Sequence, residues 1–172
     1  MKKLSILFLG LAFLTFSACE KETTEGLATV TNYPLFTMEG DNPMFLELGT
    51  TYTEPGIVAK EGETEIDVET SWAGAYQGGS SFDANVADCY TVTYTATNKD
   101  GYDGNSTRRV YLAKTGDLVN SIEGLYTSTI VRNGALRFTD LGYVLIYKNA
   151  DGSYGLSCSI GGYYEIGTGY GA

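Results

Sequence analysis

Histidine does not occur in this 172-residue chain. That removes the commonest general base at neutral pH, the Ser-His-Asp and Cys-His nucleophile arrangements, and His-ligated zinc. Carboxylates are plentiful, 21 against 11 basic residues, and glycoside hydrolysis needs only two of them beside the scissile bond. No local spacing marks a pair for that work, so an enzyme is not expected. From Glu61 to Glu69 every second residue is acidic: Glu61, Glu63, Glu65, Asp67 and Glu69. In an extended run, period two sets all five on one face. Such a face is solvated rather than wrapped around calcium, because a strand spreads its ligands along a line. The oxygen-rich stretch Asn98–Asn105 lacks EF-hand spacing, with Arg109 at the twelfth position, and reads as a turn. Cys89 and Cys158 are too few for a structural zinc site and read as free thiols. Neither a phosphate-binding loop nor a dinucleotide fingerprint is present. No catalytic residue, metal or cofactor is expected.

Aromatic residues carry the remaining chemistry. Rings exposed on a β surface stack on sugar faces, joining apolar area to a polar tip. Trp72, in the small-residue run Ser71–Gly79, and Tyr163 with Tyr164 behind Gly161-Gly162 are the candidate ligand-binding residues. The competing reading puts Trp72 in a core and the tyrosines in cross-strand pairs.

The elements that would position these residues are strands. With 22 Gly, three Pro, many Thr and Tyr and no apolar stripe at helical spacing beyond the N-terminal leader, the chain reads as all-β. Residues 32–115 read as one sandwich domain. Leu35–Met38 and Met44–Leu48 are its first strands, and Glu54-Pro55-Gly56 is a turn. The clearest strand is Tyr90–Ala96, with Tyr90, Val92, Tyr94 and Ala96 inward and Cys89 and the threonines outward. Asn98–Gly101 turns the chain into a returning strand, Thr107–Leu112, with Val110 and Leu112 inward. Beyond Lys114–Asp117 the composition shifts to Gly and Tyr. Strands are expected at 124–131, 143–148 and 154–159, with a hairpin turn at Asn149–Gly152. The segment 116–172 is near the lower limit for a self-standing core. It is therefore expected either to pack on the first domain or to be incomplete, and the second alternative is preferred.

The N-terminus carries an address. Met1-Lys2-Lys3 precedes an apolar run, Leu4–Phe16, too short to span a bilayer but fit for the hydrophobic region of a secretory signal. Phe16-Ser17-Ala18-Cys19 resembles the lipobox of bacterial lipoproteins, with Phe16 where Leu is usual. The resemblance implies a signal peptide over 1–18, lipidation of Cys19, and a tether over 19–31 beginning Glu20-Lys21-Glu22. In Bacteroidota lipoproteins such an acidic stretch looks like a signal for export to the outer leaflet, so the expected location is the outer membrane, facing outward. Losing Lys2 and Lys3 leaves nine basic against 21 acidic residues, a mature charge of −12. That excludes nucleic acid as a partner, which requires a basic footprint.

Asp88–Gly101, read as Asp-Cys-Tyr-Thr-Val-Thr-Tyr-Thr-Ala-Thr-Asn-Lys-Asp-Gly, resembles the signature of bacterial immunoglobulin-like domains of the hyaline-repeat type. Tyr52–Ala59 resembles the Tyr-x-Asp/Glu-Pro-Gly-Val-x-Ala turn of the same domains. Asp88 stands where those domains have Gly. Tyr90 sits at the position of a corner tyrosine, whose hydroxyl reaches a backbone group at the sheet edge. The resemblance implies an immunoglobulin-like β-sandwich followed by a small antiparallel β domain, preceded by a signal-peptide helix. With the lipobox and the Gly/Tyr-rich tail, the whole resembles a Bacteroidota surface-lipoprotein family often found beside glycan-import machinery. Two roles follow as expectations: a module that captures polysaccharide for a neighbouring outer-membrane transporter, or a structural, adhesive spacer that meets a protein partner.

Overall fold

A computed structural model describes residues 30–170. The signal-peptide helix, Cys19 and most of the tether lie outside the described residues. From Asn32 onward the chain clusters as one compact unit. Its elements, in order, are β1 (Leu35–Met38), β2 (Met44–Glu47), β3 (Ile57–Glu61), β4 (Thr64–Ile66), β5 (Glu69–Gly74), β6 (Asp88–Thr97), β7 (Asp103–Ala113), β8 (Gly124–Arg132), β9 (Ala135–Lys148), β10 (Tyr154–Leu156) and a π-helical turn, Tyr163–Gly167. No helix among the described residues is long and apolar enough to cross a membrane.

The first seven strands form an immunoglobulin-like sandwich of two sheets, β1-β3-β4 and β2-β7-β6-β5. β6 and β7 are its spine, antiparallel with Tyr90 opposite Val110, Val92 opposite Arg108 and Tyr94 opposite Ser106. Period two turns Tyr90, Val92, Tyr94, Val110 and Leu112 into the space between the sheets, and these five form the buried cluster. Phe36, Met38, Ile57, Met44 and Leu46 close over it from β1, β3 and β2. The corner tyrosine behaves as expected: the Tyr90 hydroxyl donates to the Val86 carbonyl at 3.0 Å. Asn98 makes the β6–β7 turn, its Oδ1 accepting from the N–H groups of Asp100 and Tyr102 at 3.1 and 2.8 Å.

One inward position on β7 is charged. Arg108 is fully buried, yet every part of its guanidinium has a partner. Nη2 donates to the Glu39 carbonyl at 2.6 Å and to Glu54 Oε1 at 3.1 Å. Nη1 donates to the Asp41 carbonyl, and Nε to the Tyr94 hydroxyl at 3.3 Å. Tyr52 and Tyr94 both donate to Glu54 Oε2. The tyrosines and glutamate of the two immunoglobulin-like motifs therefore meet in one polar knot around Arg108. Partial burial pushes the Glu54 carboxyl up, but the two hydroxyls, the Gly56 N–H and Arg108 pull it further down, below the usual carboxylate range. A lowered folded-state pKa stabilises the protein above the unfolded value, about 4.3 for Glu. That contribution disappears as pH falls through the lower folded value. Thermal melts should be flat from pH 7 to about 5 and fall below it. The fall should be shallower in Glu54→Gln, and an equal fall in both proteins would remove Glu54 from the explanation.

The acidic run 61–69 is not one strand. Gly62, at φ 60°, turns the chain between β3 and β4, and the run continues into β5 in the other sheet. The five carboxylates thus do not share a face. Glu61 instead forms an ion pair with Lys99 at 2.6 Å.

After β7 a loop rather than a strand leads on. Asp117 Oδ1 accepts from the N–H groups of Val119, Asn120 and Ser121 at 3.0, 2.7 and 3.1 Å. β8, β9 and β10 then form a three-stranded antiparallel sheet in the order β10-β9-β8. β9 is longer than the sequence reading allowed, because Asn133-Gly134 forms the β8–β9 turn with both residues at positive φ (53° and 74°). This sheet packs on the outer face of the sandwich. Tyr143 meets Phe45 and Tyr111 with ring centroids at 4.8 and 5.5 Å, and Tyr147 stacks on Tyr76 at 6.1 Å. Leu145, between the two tyrosines, is fully buried. Cys89 does point outward from the sandwich as expected, but the second sheet buries it.

Candidate functional site

The expected ligand residues separate in the structure. Trp72, at the β5 edge opposite Val92, packs against the core cluster. Its ring is hemmed by Tyr52 at 4.8 Å, Phe82 at 5.4 Å and Tyr90 at 6.4 Å. Its neighbours give it a packing role, and of the two readings open from the sequence the core one describes its surroundings. Tyr163 and Tyr164 lie elsewhere, in the π-helical turn that follows the second sheet, and they do come together with other groups.

The local chain explains how. After β10, Gly161 and Gly162 both take left-handed backbone, at φ 63° and 80°. A Cβ on Gly161 would press on the Ser128 side chain at 3.0 Å, and the left-handed backbone there favours Gly. The Ser128 hydroxyl donates to the Gly161 carbonyl at 2.5 Å and pins this turn to β8. The π-helical turn follows at once, with the N–H groups of Ile166 and Gly167 both donating to the Gly162 carbonyl at 2.9 and 3.0 Å. Phe138 of β9 supports Tyr163 from behind, centroids 6.0 Å apart.

The result is a tyrosine shelf. Tyr163 and Tyr164 stand edge to face, with centroids 4.9 Å apart and planes at 79°. At the end of β8, Arg132 Nη1 donates to the Tyr163 hydroxyl at 2.7 Å, and its Cζ lies 5.5 Å from the ring centroid. The hydroxyl beside it holds the Arg132 pKa above its ordinary value, so the shelf carries a permanent cation. Thr129, Ile130, Val131 and Ile160 floor a shallow groove of about 400 Å³. Val131 is 62% exposed and Tyr164 49%. An open aromatic face beside a five-donor guanidinium is equipped to stack on a ring and hydrogen-bond its hydroxyls. Among the described residues no group of three or more His, Cys, Asp or Glu side chains is placed to hold a metal ion.

Arg132, Ile130 and Ile160 were not singled out from the sequence. The Asn133-Gly134 turn was the available signal, since it ends β8 at Arg132 and fixes that side chain at the sheet's end. Cys89 and Cys158, distant in sequence, are both free and line one cleft between the sandwich and the second sheet.

Residues 36–112 match a family model described as a bacterial surface protein, Ig-like domain. Residues 115–172 match a second model, described as a C-terminal domain. Among solved structures, the lipoprotein BT2262 from Bacteroides thetaiotaomicron is similar, with a TM-score of 0.55 and 26% identity over 81% of this chain and 68% of that one. None of the curated proteins matches. The chain is thus similar to a bacterial surface protein Ig-like domain over residues 36–112 and to a Bacteroides lipoprotein over most of its length, and these likenesses point to a surface module.

Proposed function

We propose that this chain, built as a bacterial surface immunoglobulin-like domain carrying a C-terminal β domain, is a non-enzymatic lipoprotein that captures extracellular glycan. In this reading Cys19 anchors it in the outer membrane, facing outward, and the glycan is passed to a neighbouring uptake system. The observation that carries the reading is the shelf: two orthogonal tyrosines and a fixed guanidinium over an open apolar groove. Its place in the fold supports the same reading. Asn32 is held at the β6–β7 turn, its carbonyl accepting from Asn98 Nδ2 at 2.9 Å. The second sheet leaves from the other end of β7, an 11-residue strand that spans roughly 35 Å. Asn32 and the start of the second sheet therefore lie at opposite ends of β7.

Calorimetry against a retained polysaccharide should show Tyr164→Ala weakening binding about tenfold or more, because stacking and its hydroxyl contacts are lost together. Arg132→Ala should weaken it by a smaller factor. Trp72→Ala should lower the melting temperature and leave affinity within twofold. Loss of binding in Trp72→Ala with Tyr164→Ala unaffected would move the site to the sandwich.

One observation favours the spacer reading as the second choice. The Asp117-capped loop displays Leu118 and Val119 to solvent, 67% and 86% exposed, with Leu118 in left-handed backbone. Apolar side chains fixed in that way suit a protein partner. Pull-down of a partner that is lost in Leu118→Ser with Val119→Ser, without any glycan retention, would favour that role.

A further inference from the structure

The sandwich and the second sheet do not close completely over each other. Between them lies a cleft of about 190 Å³, separate from the shelf. Arg109 and Tyr111 of β7 form one wall, Tyr143 and Ser157 the other, with Tyr76 at the rim. Glu165, on the π-helical turn that carries Tyr163 and Tyr164, completes it. The shelf and the cleft therefore share one five-residue turn.

Size, charge and polarity narrow the occupant. Pockets for drug-sized ligands run from roughly 300 to 1,000 Å³, so this cleft admits a single small ring and not a chain. Arg109 and Glu165 form no ion pair among the described residues, whose three salt bridges are Lys99–Glu61, Arg108–Glu54 and Lys114–Glu123. A guanidinium offers only donors and a carboxylate only acceptors, while the Thr91 hydroxyl serves either way; the Ser157 hydroxyl already accepts from the Leu145 N–H at 2.9 Å. A monoanion would meet Glu165 and a monocation would meet Arg109. A neutral polyol satisfies both, since each of its hydroxyls donates and accepts. The tyrosine rings supply the apolar wall that a sugar's C–H face requires.

The geometry points to this cleft as a subsite for one neutral hexose ring, beside the shelf that holds the rest of the chain. This rests on the glycan reading above and adds a second, more enclosed contact to it. No bond is made or broken there; the ring is held.

The test uses the soluble form beginning at Glu25, which keeps the whole compact unit from Asn32. D-glucose, D-galactose and D-mannose are titrated singly, with saturation-transfer NMR for contact and calorimetry for affinity, and glycine serves as a zwitterionic competitor. One hexose should bind, and Arg109→Ala and Glu165→Gln should each weaken it at least tenfold. Polysaccharide retention should be lost in the double variant Tyr163→Ala, Tyr164→Ala, while hexose binding is scored on the unsubstituted turn against Arg109→Ala, whose residue lies on β7 outside it. Absence of hexose binding, binding untouched by the Arg109 and Glu165 variants, or displacement by glycine at equal concentration would each overturn the subsite. Polysaccharide retention that survives the tyrosine variants would instead overturn the shelf. The two failures are therefore separable.

Discussion

Arg108→Met is expected to destabilise the protein by about 3–5 kcal/mol, the range for breaking a buried ion pair from one side. The substitution keeps much of the aliphatic volume but removes a donor to each of the Glu39 and Asp41 carbonyls and the cation beside Glu54. The remaining Glu54 carboxylate keeps the Tyr52 and Tyr94 hydroxyls, so the loss lies nearer the lower end. For a chain of this size it corresponds to a drop of roughly 10 °C in melting temperature. Glu54→Gln should cost about 3 kcal/mol by the converse route, leaving a buried guanidinium without its counter-charge. The double variant should cost clearly less than the sum of the two, because each single variant already forfeits the shared interaction. Urea denaturation of the four proteins measures this. Additive losses would mean that Arg108 is held by the carbonyls alone.

Asp88→Ala is expected to be the second large loss, about 3 kcal/mol. Asp88 is fully buried, and its carboxylate accepts from the N–H groups of Tyr76 and Gln77, both at 2.9 Å, and of Cys89 at 2.7 Å. Hydrogen bonds to a charged group contribute about 1.5–3 kcal/mol each, and a buried donor left alone costs about 1–3 kcal/mol. Fraying of the 75–79 loop into water recovers part of that. The backbone is already tight here: a Cβ on Gly74 would lie 2.6 Å from the Gly78 carbonyl oxygen. Where the resembling domains have Gly, this chain thus uses a carboxylate to fold the loop that carries Tyr76 to the rim of the cleft. Asp88→Asn retains one acceptor oxygen and should lose about half as much. Amide exchange gives the local readout, with Tyr76 and Gln77 losing protection while the β6 amides beyond Tyr90 keep theirs. Uniform loss along β6 would mean that the carboxylate supports the strand and not the loop.

Period-two patterning made β6 legible because one face is buried along its length, and the Asn98–Gly101 turn carried its own side-chain hydrogen bonds. The same rule, continued two residues back from Val110, puts Arg108 on the inward face. The charge hid that position, since pattern reading treats a charged residue as solvent-facing. The acidic run misled for the opposite reason: alternation persisted across Gly62, where the backbone reverses. Residues 135–142 were missed because bulges interrupt the β8–β9 pairing, so their side chains do not alternate cleanly. Cys89 shows the remaining limit. A strand's pattern says which way a side chain points, but the cover beside its outer face came from the second sheet's Tyr143, more than fifty residues later. The tyrosine pair of the shelf was legible as two aromatic residues behind two glycines. Its cation was not, because Arg132 joins them through tertiary folding.

Affinity electrophoresis of the soluble form beginning at Glu25, through gels containing plant, host or microbial polysaccharides, tests glycan capture most directly. Retardation by at least one polysaccharide, abolished by Tyr163→Ala with Tyr164→Ala and preserved in Trp72→Ala, is the expected result. Unretarded migration in every gel by a protein shown by its melting transition to be folded would contradict it.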